Sequence, residues 1–139
     1  MVSTSFIGKG VALLLTAMPV LAAEGALPKH VTDAFEAYIA LPNTLVPVLE
    51  SAKDRKSADA AAPALKNELR KLYDTRTALQ NVKTLDAGQK ELVMKKYERP
   101  MRERWGRVYS QMFRLQNNKC FQSPEFAHLF QIMCLMLNK

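Results

Sequence analysis

Two cysteines, two histidines and a run of basic side chains are the residues of this 139-residue chain that could do chemistry. Cys120 and Cys134 are an even pair, which in an exported chain suggests a disulfide. Bridged Cα atoms lie about 4.4–6.8 Å apart. A helix from Pro124 to Cys134 would be about 15 Å long at 1.5 Å per residue. The two meet only if residues 117–123 run extended back along that helix, for which Asn117 and Asn118 supply a stop. An intrachain bridge, two buried thiols and a bridge between chains all stay open. His30 and His128 are the only histidines, too few for an all-histidine metal site within one chain. His128 alone could serve a haem or metal, and its plainer reading is a half-exposed helix histidine. No nucleophile with an adjacent base, phosphate loop or paired-carboxylate arrangement is present, and Ser110 has no histidine near it in sequence. Glu98 and Glu103 stand among arginines and read as solvated surface partners. The expectation is therefore a protein without catalysis and without a resident cofactor or metal, with a haem- or metal-binding bundle at His128 as a further alternative.

The basic residues are the sharpest feature. Residues 24–89 carry nine basic and nine acidic side chains, whereas residues 90–119 carry nine basic and three acidic. On a helix, Met94, Tyr97, Met101, Trp105, Val108, Met112 and Leu115 fall within one arc of about 80°. Lys95, Lys96, Arg99, Arg102, Arg107 and Arg114 fall on the opposite side. Such a face is either a solubilising exterior or a footprint for an anionic partner, such as headgroups, polyanionic glycans or acidic proteins. Nucleic acid fits poorly: export removes that partner, and only Phe113 interleaves with the charges. The methionines Met94, Met101, Met112, Met133 and Met136 read as core, with an adaptable binding surface as the other reading.

The elements that position these residues are helical. Ala, Leu, Lys, Arg, Glu and Met dominate, and few residues follow the two-residue alternation of strands. Val31, Phe35, Tyr38, Pro42, Leu45, Leu49 and Ala52 make an apolar stripe. Pro42 and Pro47 kink that helix or split it into pieces near 31–41 and 44–54, with Asn43 capping the second. Ser57, with Asp59 in the first turn, caps a second helix that runs to about Val82. Asp86 and Gln89 have capping-box spacing for a third helix, which continues to about Leu115 or beyond with a bend before Pro100. Gly106 is a soft point there, or room for a neighbour. Ser123, Pro124 and Glu125 open the last helix, which buries Phe126, Leu129, Phe130, Met133, Cys134 and Leu137. The expected fold is all-α: a small antiparallel bundle of about four helices, the first kinked at prolines.

Residues 1–23 read as a cleaved signal peptide and residues 24–139 as a single helical domain. Lys9 precedes the apolar run Val11–Leu21, and Leu21-Ala22-Ala23 offers a small-residue cleavage site. Eleven residues fall well short of the roughly 20 needed to span a bilayer, and no Cys follows for lipidation. The processed chain would carry a net charge of +6, with no transmembrane span, in a periplasm or outside the cell.

Residues 49–65, Leu-Glu-Ser-Ala-Lys-Asp-Arg-Lys-Ser-Ala-Asp-Ala-Ala-Ala-Pro-Ala-Leu, resemble a pattern in small exported bacterial helical proteins without assigned activity. In those proteins a helix end, a K-D turn and an S-A-D-A-A-A-P-x-L helix start recur. The resemblance implies a helical, exported protein and transfers no site. Leu85-Asp86-Ala87-Gly88-Gln89 is similar to the L-T-x-x-Q helix starts of Spy-type periplasmic chaperones, with Asp86 in place of Thr and one copy where that family typically has two. That similarity implies ATP-independent holding of clients. The size also resembles exported haem bundles that use an early Met and a late His. Here His128 would be the late ligand, while the first helix has no Met and no Cys-x-x-Cys-His motif occurs. The leading expectation is an exported interaction module with a basic helix face.

Overall fold

The computed structural model describes residues 27–82 and 85–138. The segment expected to be a signal peptide lies outside the described residues. All the regular elements described are helical. They are α1 (Lys29–Ala40), α2 (Pro42–Ser51), α3 (Arg55–Gln80), α4 (Ala87–Asn117), a short turn Lys119–Gln122, and α5 (Pro124–Leu137). With α1 and α2 taken as one helix broken at Pro42, this is the expected four-helix, all-α bundle.

Local chemistry sets the boundaries, in two places differently from expectation. Pro42 is the first residue of α2, where its missing N–H costs nothing because that group has no helical partner anyway. Asn43 therefore sits inside the helix and caps nothing. Asp54 rather than Ser57 caps α3. Its Oδ1 accepts from the Ser57 amide at 2.7 Å, and the Ser57 hydroxyl accepts from the Asp54 amide at 2.9 Å. Ser57 is thus the third-residue half of a reciprocal box, and its amide and hydroxyl, both donating to Oδ1, hold the Asp54 carboxyl below its usual range. The box at α4 is as expected: Asp86 Oδ1 accepts from the Gln89 amide at 2.8 Å, and Gln89 Oε1 accepts from the Asp86 amide at 3.0 Å. Pro47, Pro63 and Pro100 lie inside helices, and each deprives the carbonyl four residues earlier of its donor.

Side-chain pairs give the directions. Tyr97 meets Glu36, Trp105 meets Tyr38 and Arg114 meets Leu49 and Ala52, so α4 runs parallel to α1–α2. Thr44 meets Glu68 and Tyr38 meets Arg76, so α3 runs antiparallel to them. Ser123 meets Asp59, and the far end of α5 lies beside Tyr73 to Gln80, so α5 runs with α3. The chain goes up, down, up, down. Its helices do not neighbour one another in chain order, because α4 packs along α1 and α2, and α5 packs along α3. Among the described residues, the α4 backbone closely approaches neither α3 nor α5. The packing order is α4, α1–α2, α3, α5.

The core lies where these layers meet. Leu45, Leu49, Leu65, Leu72, Val108, Leu115, Phe126 and Met133 are fully enclosed, and Ala58 and Ala62 let a neighbouring helix close in on α3. Val31, Ile39, Val93 and Tyr97 form a second cluster at the other end of α4. Glu68 is buried with its oxygens engaged by the Thr44 hydroxyl at 2.7 Å and Lys71 Nζ at 3.0 Å, which relieves the cost of enclosing a carboxylate.

The link from α4 to α5 is the least conventional part of the backbone. Lys119, Cys120, Phe121 and Gln122 all have positive φ, between 51° and 60°, and none is glycine. A left-handed residue costs roughly 1–2 kcal/mol against its right-handed form. The turn makes its own hydrogen bonds, Phe121 N to Asn118 O at 2.9 Å and Ser123 N to Cys120 O at 3.1 Å. It also buries Cys120 and delivers Ser123, fully enclosed, to the start of α5. There the Ser123 hydroxyl donates to Asp59 Oδ1 and accepts from the Phe126 amide at 3.4 Å.

Gly106, read as a soft point or as room for a neighbour, is exposed, and a methyl group added there would meet nothing, which leaves the first reading. Gly106→Ala should therefore stabilise the fold by about 0.8–1.0 kcal/mol, the helix-propensity difference alone. Urea unfolding followed by circular dichroism would show this as a higher midpoint with an unchanged slope.

Candidate functional site

α4 is held to the bundle by one stripe. The Trp105 ring lies on Tyr38, centroids 4.6 Å apart and planes 20° from parallel, and its Nε1–H donates to the Tyr38 carbonyl at 3.0 Å. About two turns earlier, Tyr97 stacks on Phe35 at 5.4 Å and its hydroxyl donates to Glu36 at 3.3 Å. These contacts orient the rest of the helix outward.

Lys95, Lys96, Arg99, Arg102 and Arg107 are exposed on that outer side. Arg99 pairs with Glu103 at 3.0 Å and Arg102 with Glu98 at 3.7 Å, both one turn apart on the helix. Such solvated pairs are worth about 0.3–0.5 kcal/mol and yield readily to a stronger anion. Lys96 Nζ stands 5.3 Å from the Tyr97 ring centre. Among the described residues, Lys95 and Arg107 form no ion pair.

Arg114, expected on the same face, belongs elsewhere. It is half-buried and donates through its two terminal nitrogens to the carbonyls of Ala52 at 2.9 Å and Leu49 at 2.8 Å, and through Nε to Gln111 at 2.9 Å. Its guanidinium lies 5.9 Å from the Phe121 ring centre. The end of α2 has free carbonyls and a partial negative charge, and Arg114 satisfies both while pinning α4 and the left-handed turn to it. Periodicity placed Arg114 with the other cations because a helical wheel says nothing of a neighbouring helix that ends beside it. Lys90, which is exposed, and the half-buried Arg104 are the basic residues of α4 that the wheel left out.

The cysteines are free thiols. Residues 119–122 form a compact left-handed turn rather than the extended return that an intrachain bridge was expected to need. Burial, with a smaller contribution from a charged Cys134, pushes the Cys120 thiol up to about 11; burial also raises Cys134. Both are therefore neutral and poorly nucleophilic near pH 7. His128 is exposed on α5 and His30 on α1, whereas a haem crevice would enclose its ligand. Among the described residues, no group of three or more His, Cys, Asp or Glu is placed to hold a metal. Met133 is enclosed, but Met94, expected in the core, is 55% exposed. Ser110 is exposed as well.

Fold and surface together define a small helical bundle with one cationic helix edge. The chain matches no protein-family model, no curated protein and no solved structure. Among the described residues, no helix is long and apolar enough to cross a membrane.

Arg114→Ala should cost about 1.5–3 kcal/mol, the range for hydrogen bonds to a charged group, whereas Arg107→Ala should stay within about 0.5 kcal/mol. Thermal unfolding of the two variants beside the parent separates the structural arginine from the surface one.

Proposed function

We propose that the chain is an exported, non-catalytic helical module that binds an anionic partner through the outer side of α4. The observation that carries this reading is the exposure of Lys95, Lys96, Arg99, Arg102 and Arg107 on one helix, where, among the described residues, carboxylates engage Arg99 and Arg102. Arg114 takes no part, being committed to α2. Positive charge concentrated on a rigid edge raises the local concentration of anions and speeds encounter. Each lysine or arginine close to an anionic surface contributes about 1 kcal/mol. Export is supported by the leader-like residues 1–23, and it makes envelope polyanions or anionic lipid headgroups the partners that fit, rather than nucleic acid. A Spy-type holdase draws on a different observation, the exposed apolar side chains Tyr73, Met94, Tyr109, Phe113 and Leu135. It would act by suppressing client aggregation without ATP.

Binding to a sulfated oligosaccharide and to vesicles containing phosphatidylglycerol, titrated across salt concentration, tests the proposal. The parent should bind with affinity that falls steeply as salt rises. The triple variant Lys95→Glu, Lys96→Glu, Arg107→Glu should lose at least about 100-fold, from about 1 kcal/mol per charge. Equal binding by the triple variant, or binding indifferent to salt, would overturn it.

A further inference from the structure

One flank of α4 joins cations to exposed apolar side chains. Lys95, Arg99, Arg102, Gly106, Tyr109 and Phe113 recur at steps of four and three residues. That spacing confines them to an arc of about 80° along about 27 Å of helix. All six are exposed, Tyr109 to 48% and Phe113 to 69%. The row is cationic in its first half and aromatic in its second. Glu91 stands one turn before Lys95, so the cationic part begins at Lys95.

Beside the cationic half, an open groove of about 290 Å³ lies between α4 and Phe35 of α1. Its buried and half-buried lining is Phe35, Val93, Tyr97 and Met101, whose one polar group, the Tyr97 hydroxyl, is engaged by Glu36. Its exposed lining is Met94, Glu98 and Arg102. An apolar hollow thus opens beside a guanidinium.

We propose that this flank docks on an anionic lipid membrane. The cations meet headgroup phosphates, Met94, Tyr109 and Phe113 enter the acyl boundary, and the groove takes a stretch of one acyl chain. This rests on the anion-binding reading of α4 and narrows its partner. Charge and polarity together select the occupant. A sulfated glycan answers the cations, but it offers only polar groups to a hollow with no free polar partner, where they would lose hydration without compensation. A lipid carries phosphate and hydrocarbon in one molecule. Arg102 serves both halves, since it lines the groove and its contact with Glu98 is long, at 3.7 Å. A phosphate, by contrast, accepts from a guanidinium at two points. The long stems of Lys95 and Arg99 reach headgroups from a helix lying in the interface. Tyr109 suits that boundary, with an apolar ring and a wet hydroxyl. The groove is at the low end of the roughly 300–1,000 Å³ of small-molecule pockets, so it receives part of a chain rather than a whole lipid.

The test uses the chain without its leader-like residues 1–23, which retains every described helix. The probes are vesicles of phosphatidylglycerol and phosphatidylcholine in equal parts, vesicles of phosphatidylcholine alone, and a sulfated oligosaccharide. The parent should bind the mixed vesicles at least about tenfold more tightly than the zwitterionic ones. Met94→Gln with Phe113→Gln should lose at least about tenfold on the mixed vesicles, with oligosaccharide binding and circular dichroism unchanged. Phe113→Trp should gain blue-shifted emission on the mixed vesicles and be quenched by lipids brominated along the acyl chain. Tyr73→Trp, at an exposed position on α3, should do neither. A parent that ignores the mixed vesicles overturns the proposal. So does a Met94→Gln, Phe113→Gln variant that binds them as the parent does, or Phe113→Trp emission that brominated chains leave untouched. Oligosaccharide binding that persists in any of these cases leaves the anion-binding reading standing and removes the lipid one alone.

Discussion

Trp105 joins α4 to the rest of the bundle, and much of the structure follows from how it is seated. Its ring is stacked on Tyr38 and its indole N–H is satisfied by the Tyr38 carbonyl, so a large apolar group is enclosed with no polar atom unpartnered. Arg114, more than two turns further on, ties the same helix to the C-terminal end of α2. Between them these two contacts fix both the rotation and the axial position of α4. Its apolar stripe is then spent on α1–α2, and the opposite side has nothing left to pack against. The exposed cations are a consequence of that docking as much as of their own spacing.

The two edges of the molecule differ because the helices are stacked in the order α4, α1–α2, α3, α5. A bundle whose neighbours followed chain order would have set α4 between α3 and α5, with less of its polar side in water. Here α4 is an outer layer and exposes its basic side chains together with Met94, Tyr109 and Phe113, while α5, the other outer layer, carries Glu125 as its one charged residue.

What could be read from the sequence was local. The helix count, the α4 box of Asp86 and Gln89, and the start of α5 at Ser123-Pro124 depend on residues within one turn of each other, and they stand as expected. Asp54 was missed because Ser57, three residues on, has an equally good capping side chain. The choice between them was set by Asp54 adopting the extended backbone that a cap needs. Pro42 begins α2 rather than kinking a longer helix, since a proline is best tolerated where no donor is required. Arg114, the buried Glu68 and the Ser123–Asp59 contact depend on partners 24 to 65 residues away in the chain. No periodicity records those. Least legible was the left-handed turn, because Lys-Cys-Phe-Gln contains none of the glycine or asparagine that usually marks positive φ. Its cost is offset by what it encloses, which only the folded chain reveals. Of the candidate site, five of six cations stood where spacing put them.

Trp105 is the only tryptophan in the chain, so its fluorescence reports on the α4 docking directly. Emission shifted to the blue, strong protection from acrylamide, and an unfolding midpoint in urea that coincides with the loss of helical circular dichroism are the results this account requires. Free quenching of Trp105 in the folded protein, or a fluorescence change well before the helices melt, would mean that α4 is not seated on α1–α2 as described.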